Sequence, residues 1–83
     1  MNDTSKEEWT SDLAFTDMEI EAYDMLARGY YILSTLPGND DRRAVFASQA
    51  SYYRDQCTEC INFFNKLQEY GKQHNWETVI NNA

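Results

Sequence analysis

The stretch from Val45 to Tyr70 constrains the fold most, because it carries an uninterrupted apolar repeat at helical spacing. Steps of four and three residues alternate, which keeps one stripe of a helix against a neighbouring helix. The repeat consists of Phe46, Ala50, Tyr53, Cys57, Cys60, Phe64 and Leu67. A second apolar row flanks it, made of Val45, Tyr52, Phe63 and Tyr70. The opposite arc is polar, so the pattern predicts a long amphipathic helix over residues 41–71, with a continuation to Asn75 as the alternative.

A second helix is predicted upstream, over residues 16–36. Thr16 and Glu19 have the spacing of a capping box, Phe15 can pack on Ile20, and Pro37 ends the pattern. The apolar positions again alternate by four and three: Met18, Ala22, Met25, Gly29, Ile32 and Leu36, with Tyr23, Leu26, Tyr30 and Leu33 beside them. An apolar arc this wide exceeds what one neighbouring helix can cover.

The short segment between the two helices, residues 37–41, predicts an antiparallel hairpin. Asn39, Asp40 or Asp41 can cap the second helix. Short helices are predicted at residues 5–14, where Ser5 and Glu8 form a possible capping box, and at residues 75–81. The second helix is longer than the first. Its overhanging end needs a cover, for which the candidates are the Trp9–Leu13 segment, the Trp76–Ile80 segment or a second copy of the chain.

The predicted fold class is therefore all-α: a long antiparallel helical hairpin with short N- and C-terminal helical segments, forming a single domain over residues 1–83. A chain of 83 residues buries a thin core, which favours a homo-oligomer such as an oligomeric bundle. No apolar run approaches the ~20 residues of a membrane span, and no signal peptide is recognisable. Two cysteines on the apolar side of one helix suit a reducing compartment, so a cytoplasmic location is expected.

The net charge of −7 is concentrated at the start of the chain. Residues 1–24 hold eight acids and one base, whereas residues 25–83 hold six of each. This balance argues against direct binding of nucleic acid or an anionic membrane, which require basic patches. It favours a protein partner with a basic surface. The candidate acidic binding residues are Asp3, Glu7, Glu8, Asp12, Glu21 and Asp24.

Cys57 and Cys60 form a CxxC pattern, but no second pair accompanies it, and His74 is the single histidine. Structural thiols are the favoured interpretation, with a metal bound between copies of the chain as the alternative. The sequence contains no glycine-rich phosphate loop, metal-binding loop or nucleophile–base pair. No enzyme activity, cofactor or metal site is therefore expected.

Six tyrosines and two tryptophans exceed what a two-helix core can hide, and such side chains are enriched at protein interfaces. Tyr53 and Tyr30 are assigned to the core. The remaining candidates for an aromatic binding flank are Tyr23, Tyr31, Tyr52 and Tyr70. Possible anion contacts are Arg42, Arg43 and Arg54.

Three function classes follow from these features. The first is a small, acidic, non-enzymatic protein that binds another protein, in its most specific form an inhibitor of a host factor encoded by a phage or other mobile element. The second is a homo-oligomer that binds a small ligand, such as a nucleotide, in aromatic clefts between subunits. A purely structural helix pair is the third alternative.

Overall fold

The computed structural model describes residues 5–76, which form two α-helices and no strand. Helix α1 spans Lys6–Thr35 and helix α2 spans Arg43–Gln73. The helices pack against each other along their length in a hairpin that measures 53 × 27 × 15 Å. The predicted all-α helical hairpin is confirmed.

Helix α1 begins at Ser5, whose hydroxyl accepts a hydrogen bond of 3.1 Å from the backbone N–H of Glu8 and approaches the Glu8 carboxylate at 3.3 Å. The predicted start at Thr16 is wrong. Thr16 is buried within α1, because no glycine or proline lies between Ser5 and Arg28 and the interhelical face continues through this position. The predicted segments 5–14 and 16–36 are thus one helix.

The face of α1 that packs on α2 differs from the predicted apolar row. It alternates by four and three residues through half-buried or buried positions, namely Trp9, Leu13, Thr16, Ile20, Tyr23, Ala27, Tyr30 and Ser34. Small and hydroxyl-bearing residues at Thr16, Ala27 and Ser34 let the helices approach closely. The more aliphatic row from Met18 to Leu36 is exposed instead.

The loop ends α1 and directs the chain back. Leu36 is extended because it precedes a proline, and Gly38 has a φ of 93°, which glycine adopts without strain. The side chains of Asn39 and Arg43 donate hydrogen bonds of 2.9 and 2.8 Å to the carbonyls of Leu33 and Ser34. Those carbonyls belong to the last turn of α1, which has no following helical N–H groups to bind them.

None of Asn39, Asp40 and Asp41 caps α2. The N-cap residue is Arg42, and its side chain makes no capping hydrogen bond. Two of the predicted caps bind elsewhere. The side chain of Asn39 binds the end of α1, and Asp40 pairs with Arg43 at 2.7 Å.

The predicted apolar repeat of α2 does face α1. All seven of its members are buried or half-buried, and Ala50 and Leu67 are the most buried of them. The flanking row behaves differently, because Val45, Tyr52 and Phe63 are exposed.

Helix α2 ends in a left-handed cap. Asn75 has a φ of 59°, and the N–H groups of Asn75 and Trp76 donate to the carbonyls of Lys72 and Gly71 at 3.1 and 2.8 Å. This pair of bonds is a Schellman motif, which normally brings the residue after the left-handed position back onto the helix. Trp76 accordingly packs on Tyr70, with ring centroids 5.8 Å apart. Apart from Asn75 and Trp76, the predicted helix 75–81 lies outside the described residues.

The open end of the hairpin is closed by Trp9. Its side chain is fully buried, its indole N–H donates a 2.6 Å hydrogen bond to the carbonyl of Leu67, and its ring lies directly over Gly71. Leu13 completes the buried cluster, with Trp76 packed against its edge. The Trp9–Leu13 segment is thus the cover for the end of α2.

Gly71 and Gly29 make a matched pair for testing this closure. A Cβ atom on Gly71 would collide with Cζ2 of Trp9, whereas a Cβ on Gly29 meets nothing within 4 Å. Alanine is the better helix former by about 1 kcal/mol. Gly29→Ala should therefore raise the free energy of unfolding by ~0.5–1 kcal/mol, and Gly71→Ala should lower it by ~1–3 kcal/mol. Urea titration followed by circular dichroism measures both. Equal gains from the two substitutions would contradict the packing of Trp9 on Gly71.

Candidate protein-binding surfaces

The outer face of α1 points away from α2 and is apolar. We define it as the exposed row Met18, Ala22, Met25, Gly29, Ile32 and Leu36. Met18 and Met25 are 67% and 66% exposed, so α2 covers neither of them. Contiguous exposed apolar surface of this kind marks an interaction site more often than a solvated surface.

A shallow depression runs along one edge of the outer face. Its volume is about 530 Å³, and it lies over Gly29, where the absence of a side chain leaves room. The lining residues are Ala22, Met25, Leu26, Gly29, Tyr30 and Leu33.

The candidate acidic residues do not form one patch. Helical geometry, at about 100° per residue, places Glu8 and Asp12 on one flank of α1 and Glu21 and Asp24 on the opposite flank. Glu7 lies near the line of the outer face, on the first turn. Asp3 lies outside the described residues.

Of the candidate acids within residues 5–76, Asp24 is the one that forms an ion pair. The ion pairs within residues 5–76 are Asp24–Arg28 at 3.0 Å and Asp40–Arg43 at 2.7 Å. Lys66 and Lys72 lie on the same half of the hairpin as the first turns of α1, yet neither pairs with a carboxylate of the described chain. Within residues 5–76, therefore, no ion pair neutralises an acid of the N-terminal half of α1.

The four candidate flank tyrosines have different surroundings. Tyr31 and Tyr52 are exposed, in keeping with a binding flank. Tyr23 lies between the helices, where it stacks on Tyr53 at 6.1 Å, and Tyr30 stacks on the same ring at 5.8 Å. Tyr70 is half-buried and stacks on His74 at 4.2 Å. Only two of the four are thus available as an open aromatic surface.

The candidate anion contacts are dispersed as well. Arg43 is engaged at the end of α1, and Arg42 is exposed at the start of α2. Arg54 lies one-third of the way along α2, on the rim of a side groove of about 510 Å³ between the helices. The lining residues of this groove are Asp24, Ala27, Arg28, Tyr31, Ile32, Arg54, Cys57, Thr58 and Ile61.

Sequence reasoning identified Tyr31 and Arg54 separately but not the side groove that brings them together. It also missed the contributions of Thr58 and Ile61. The groove depends on which face of α1 meets α2, and the apolar pattern of α1 indicated the wrong face.

Cys57 and Cys60 are free thiols, both half-buried between the helices. The Cys57 thiol approaches the carbonyl of Ile20 at 3.5 Å. Within residues 5–76 no three metal-ligating side chains come together. His74 is the C-cap residue of α2, where its ring contacts the carbonyl of Tyr70 at 2.9 Å and stacks on Trp76.

Neither described helix combines the length and apolarity needed to cross a membrane. Comparison with protein-family models, curated proteins and solved structures gave no significant match. The surfaces described above are therefore the basis on which a function is proposed.

The environment of Cys60 predicts slow thiol chemistry at neutral pH. Burial raises the pKa of the Cys60 thiol above its ordinary value of 9.0, and the negative charges of Glu19, ionised Cys57 and Glu59 raise it further. In a Cys57→Ala chain, the alkylation rate of Cys60 by iodoacetamide should have its pH midpoint above 9.0 and shift downward in urea. The pKa of Cys60 is lower in the unfolded chain than in the folded protein, so the unfolded chain loses this proton first as pH rises. The contribution of Cys60 to the free energy of unfolding is therefore full below the unfolded pKa and is lost as pH rises through the folded pKa. A midpoint below that of the unfolded chain would contradict this environment.

Proposed function

We propose that this protein is a non-enzymatic binding module that docks on a protein with a basic surface through the acidic N-terminal half of α1. The observation that carries the proposal is the excess of acids in that region that form no ion pair within residues 5–76. Glu7, Asp12 and Glu21 are exposed and make no ion pair within residues 5–76.

The arrangement of charge suits recognition more than stability. Acids in the first turn of α1 interact favourably with the helix dipole, but Asp12 and Glu21 lie beyond the reach of that effect. An excess of like charges on one segment disfavours the compact state and attracts an oppositely charged partner, even though these acids are divided between two flanks of the helix. Such attraction acts mainly on the rate of association and is screened beyond about 8–10 Å at physiological salt.

The exposed rings of Tyr31 and Tyr52 supply the short-range part of the proposed binding. Each presents an apolar ring with a polar tip, the combination that is enriched in interface centres. Tyr31 lies on α1 and Tyr52 lies on α2. The charged side chains around the two rings therefore differ. In its most specific form, the proposal is an inhibitor that occupies the basic site of a host factor and is encoded by a phage or other mobile element. This form is based on an analogy of size and charge.

Neutralising acids tests the docking surface. The variant Glu7→Gln, Asp12→Asn, Glu21→Gln removes three negative charges without touching Ser5, Glu8 or the Asp24–Arg28 pair. Its association rate with a partner captured from host lysate should fall about tenfold at low salt, with a much smaller change in the dissociation rate. Stopped-flow or surface plasmon resonance measures both rates.

The matched control neutralises Asp41, Asp55 and Glu59, which are exposed and lie in the loop or on α2. It changes the net charge by the same amount as the first variant. The association rate should change by about twofold or less, an effect of the altered net charge alone. An equal fall in both variants would show that net charge alone matters. An unchanged rate in the first variant would reject the acidic surface as the docking site.

A second candidate function, binding of a small anionic ligand such as a nucleotide, has one observation in its favour. The side groove combines the exposed ring of Tyr31 with the guanidinium of Arg54. An aromatic face and a cation are the usual contacts of a base and a phosphate. For this function, a panel of nucleotides should raise the melting temperature, and Arg54→Ala should abolish the increase. The acid-neutralised variant separates the two candidates, because it leaves Arg54 in place.

A further inference from the structure

No contact among residues 5–76 explains the glycine at position 29. Gly71 is required by the packing of Trp9, and Gly38 by its positive φ. Gly29 lies in the interior of α1, is exposed, and has open space where its Cβ would be. A glycine at such a position destabilises a helix by about 1 kcal/mol relative to alanine. Close approach of something outside the hairpin accounts for it.

Residues 77–83, which lie outside the described residues, are too few to cover the half of the outer face from Gly29 to Leu36. Residues 77–83 follow Trp76, which packs on Trp9 with ring centroids 5.3 Å apart. Seven residues span at most about 25 Å when fully extended. Leu36 lies 27 residues beyond Trp9 on the same helix, or about 40 Å. Gly29 lies about 30 Å from Trp9 by the same measure, so the half of the outer face from Gly29 to Leu36 is beyond the reach of residues 77–83.

We propose that a second copy of the chain covers the outer face, by antiparallel packing of α1 on α1 about a two-fold axis level with Ala27. The four–three spacing of the outer face is the repeat that a helix presents to another helix. In this register the central pairs match a large side chain with a small one, and the outermost pair brings two large side chains together. Met25 lies over Gly29 of the second copy, Ile32 over its Ala22, and Met18 meets its Leu36.

The parallel alternative fits poorly. It would place Gly29 on Gly29 and Ala22 on Ala22, which leaves voids, and Met25 on Met25, which crowds the next layer. The depression over Gly29 is then unfilled, whereas the antiparallel register inserts a methionine into it.

The two flanks of the outer face favour the same orientation. In an antiparallel two-fold pair each flank meets its own counterpart. Leu26 and Leu33 lie on one flank and would extend the dry contact, while Glu21 and Arg28 lie on the other and stay in water. A parallel pair would instead press the leucine flank of one copy against the charged flank of the other, which removes charges from water without a partner.

The first experiment measures assembly state for purified protein alone. Sedimentation equilibrium at about 1–100 μM should show a monomer–dimer equilibrium. Met25→Glu should raise the dissociation constant by at least about tenfold, since each dimer would bury two unpaired charges. Val45→Glu introduces the same charge at a similarly exposed position of α2 and should change it about twofold or less. A monomer throughout this range, or equal effects of both substitutions, would overturn the proposal.

Gly29→Leu gives a readout that poor folding cannot imitate. Leucine is the better helix former, so this variant should unfold at higher urea than the parent when both are monomeric. Its side chain fills the space that Met25 of the second copy needs, so its dimer dissociation constant should rise by at least about tenfold. A more stable fold that dimerises as well as the parent would overturn the close approach at Gly29.

Disulfide trapping tests the orientation. The chain with Cys57 and Cys60 replaced by alanine receives either Met25→Cys or Gly29→Cys, and circular dichroism checks that each variant is folded. In the antiparallel register, a mixture of the two variants should cross-link several-fold faster than either variant alone. Faster cross-linking of each single variant with itself would overturn this register in favour of the parallel one.

Salt separates this assembly from docking on a basic protein. Each copy carries a net charge of −7, so raising salt from about 0.05 to 0.5 M should tighten the dimer by screening repulsion. The same change should weaken docking on a basic surface. The dimer is measured with the protein alone, so absence of a basic partner would leave this result intact. A dimer that dissociates as salt rises would contradict an apolar interface between like-charged copies.

Discussion

The contact between the Trp9 indole and the backbone of α2 at Gly71 is the constraint on which the hairpin depends. A hairpin has a covalent link at one end only, so its other end separates unless tertiary contacts hold it. Here the capped first turn of α1 positions Trp9, the missing side chain of Gly71 admits its ring, and the carbonyl of Leu67 accepts its N–H. The Schellman turn at Asn75 then folds Trp76 over the edge. Two helix termini are thereby tied to one buried side chain.

Between this end and the loop the interface is thin. Ala27 and Ala50 are the buried apolar residues there, Thr16 and Ser34 are the buried polar ones, and most of the other contacts are half-buried rings and thiols. Stacked rings of Tyr23, Tyr53 and Tyr30 bridge the helices without leaving water completely. A core of this size gives a narrow margin over the conformational entropy of 83 residues. Any association that covers the exposed side of α1 therefore contributes to folding as well as to binding.

The sequence predicted α2 better than α1 for a physical reason. In α2 one stripe is apolar and the opposite arc is polar, so the periodicity specified the contact face uniquely. In α1 two stripes share the four–three spacing, and the one from Met18 to Leu36 is the more aliphatic. The stripe that packs on α2 contains Thr16 and Ser34. Their small side chains suit a close contact between helices, but a hydrophobic pattern does not detect side-chain size. The Thr16–Glu19 pattern misled in the same way, because a capping box is local and the continuity of the interhelical face is not. The acidic residues were identified from the number of acids in the first third of the sequence. Their division between two flanks of α1 became visible only once the face that packs on α2 was known.

The placement of the aromatic side chains makes the two parts of the hairpin optically distinct. Both tryptophans, Trp9 and Trp76, lie at the open end with their rings in contact, whereas the stacked tyrosines lie midway between the helices. Indole emission therefore reports fraying of the helix ends, and the near-ultraviolet dichroism of the tyrosines reports separation along the middle. The native chain thus carries its own pair of local probes, and the order in which its segments come apart is observable without any label.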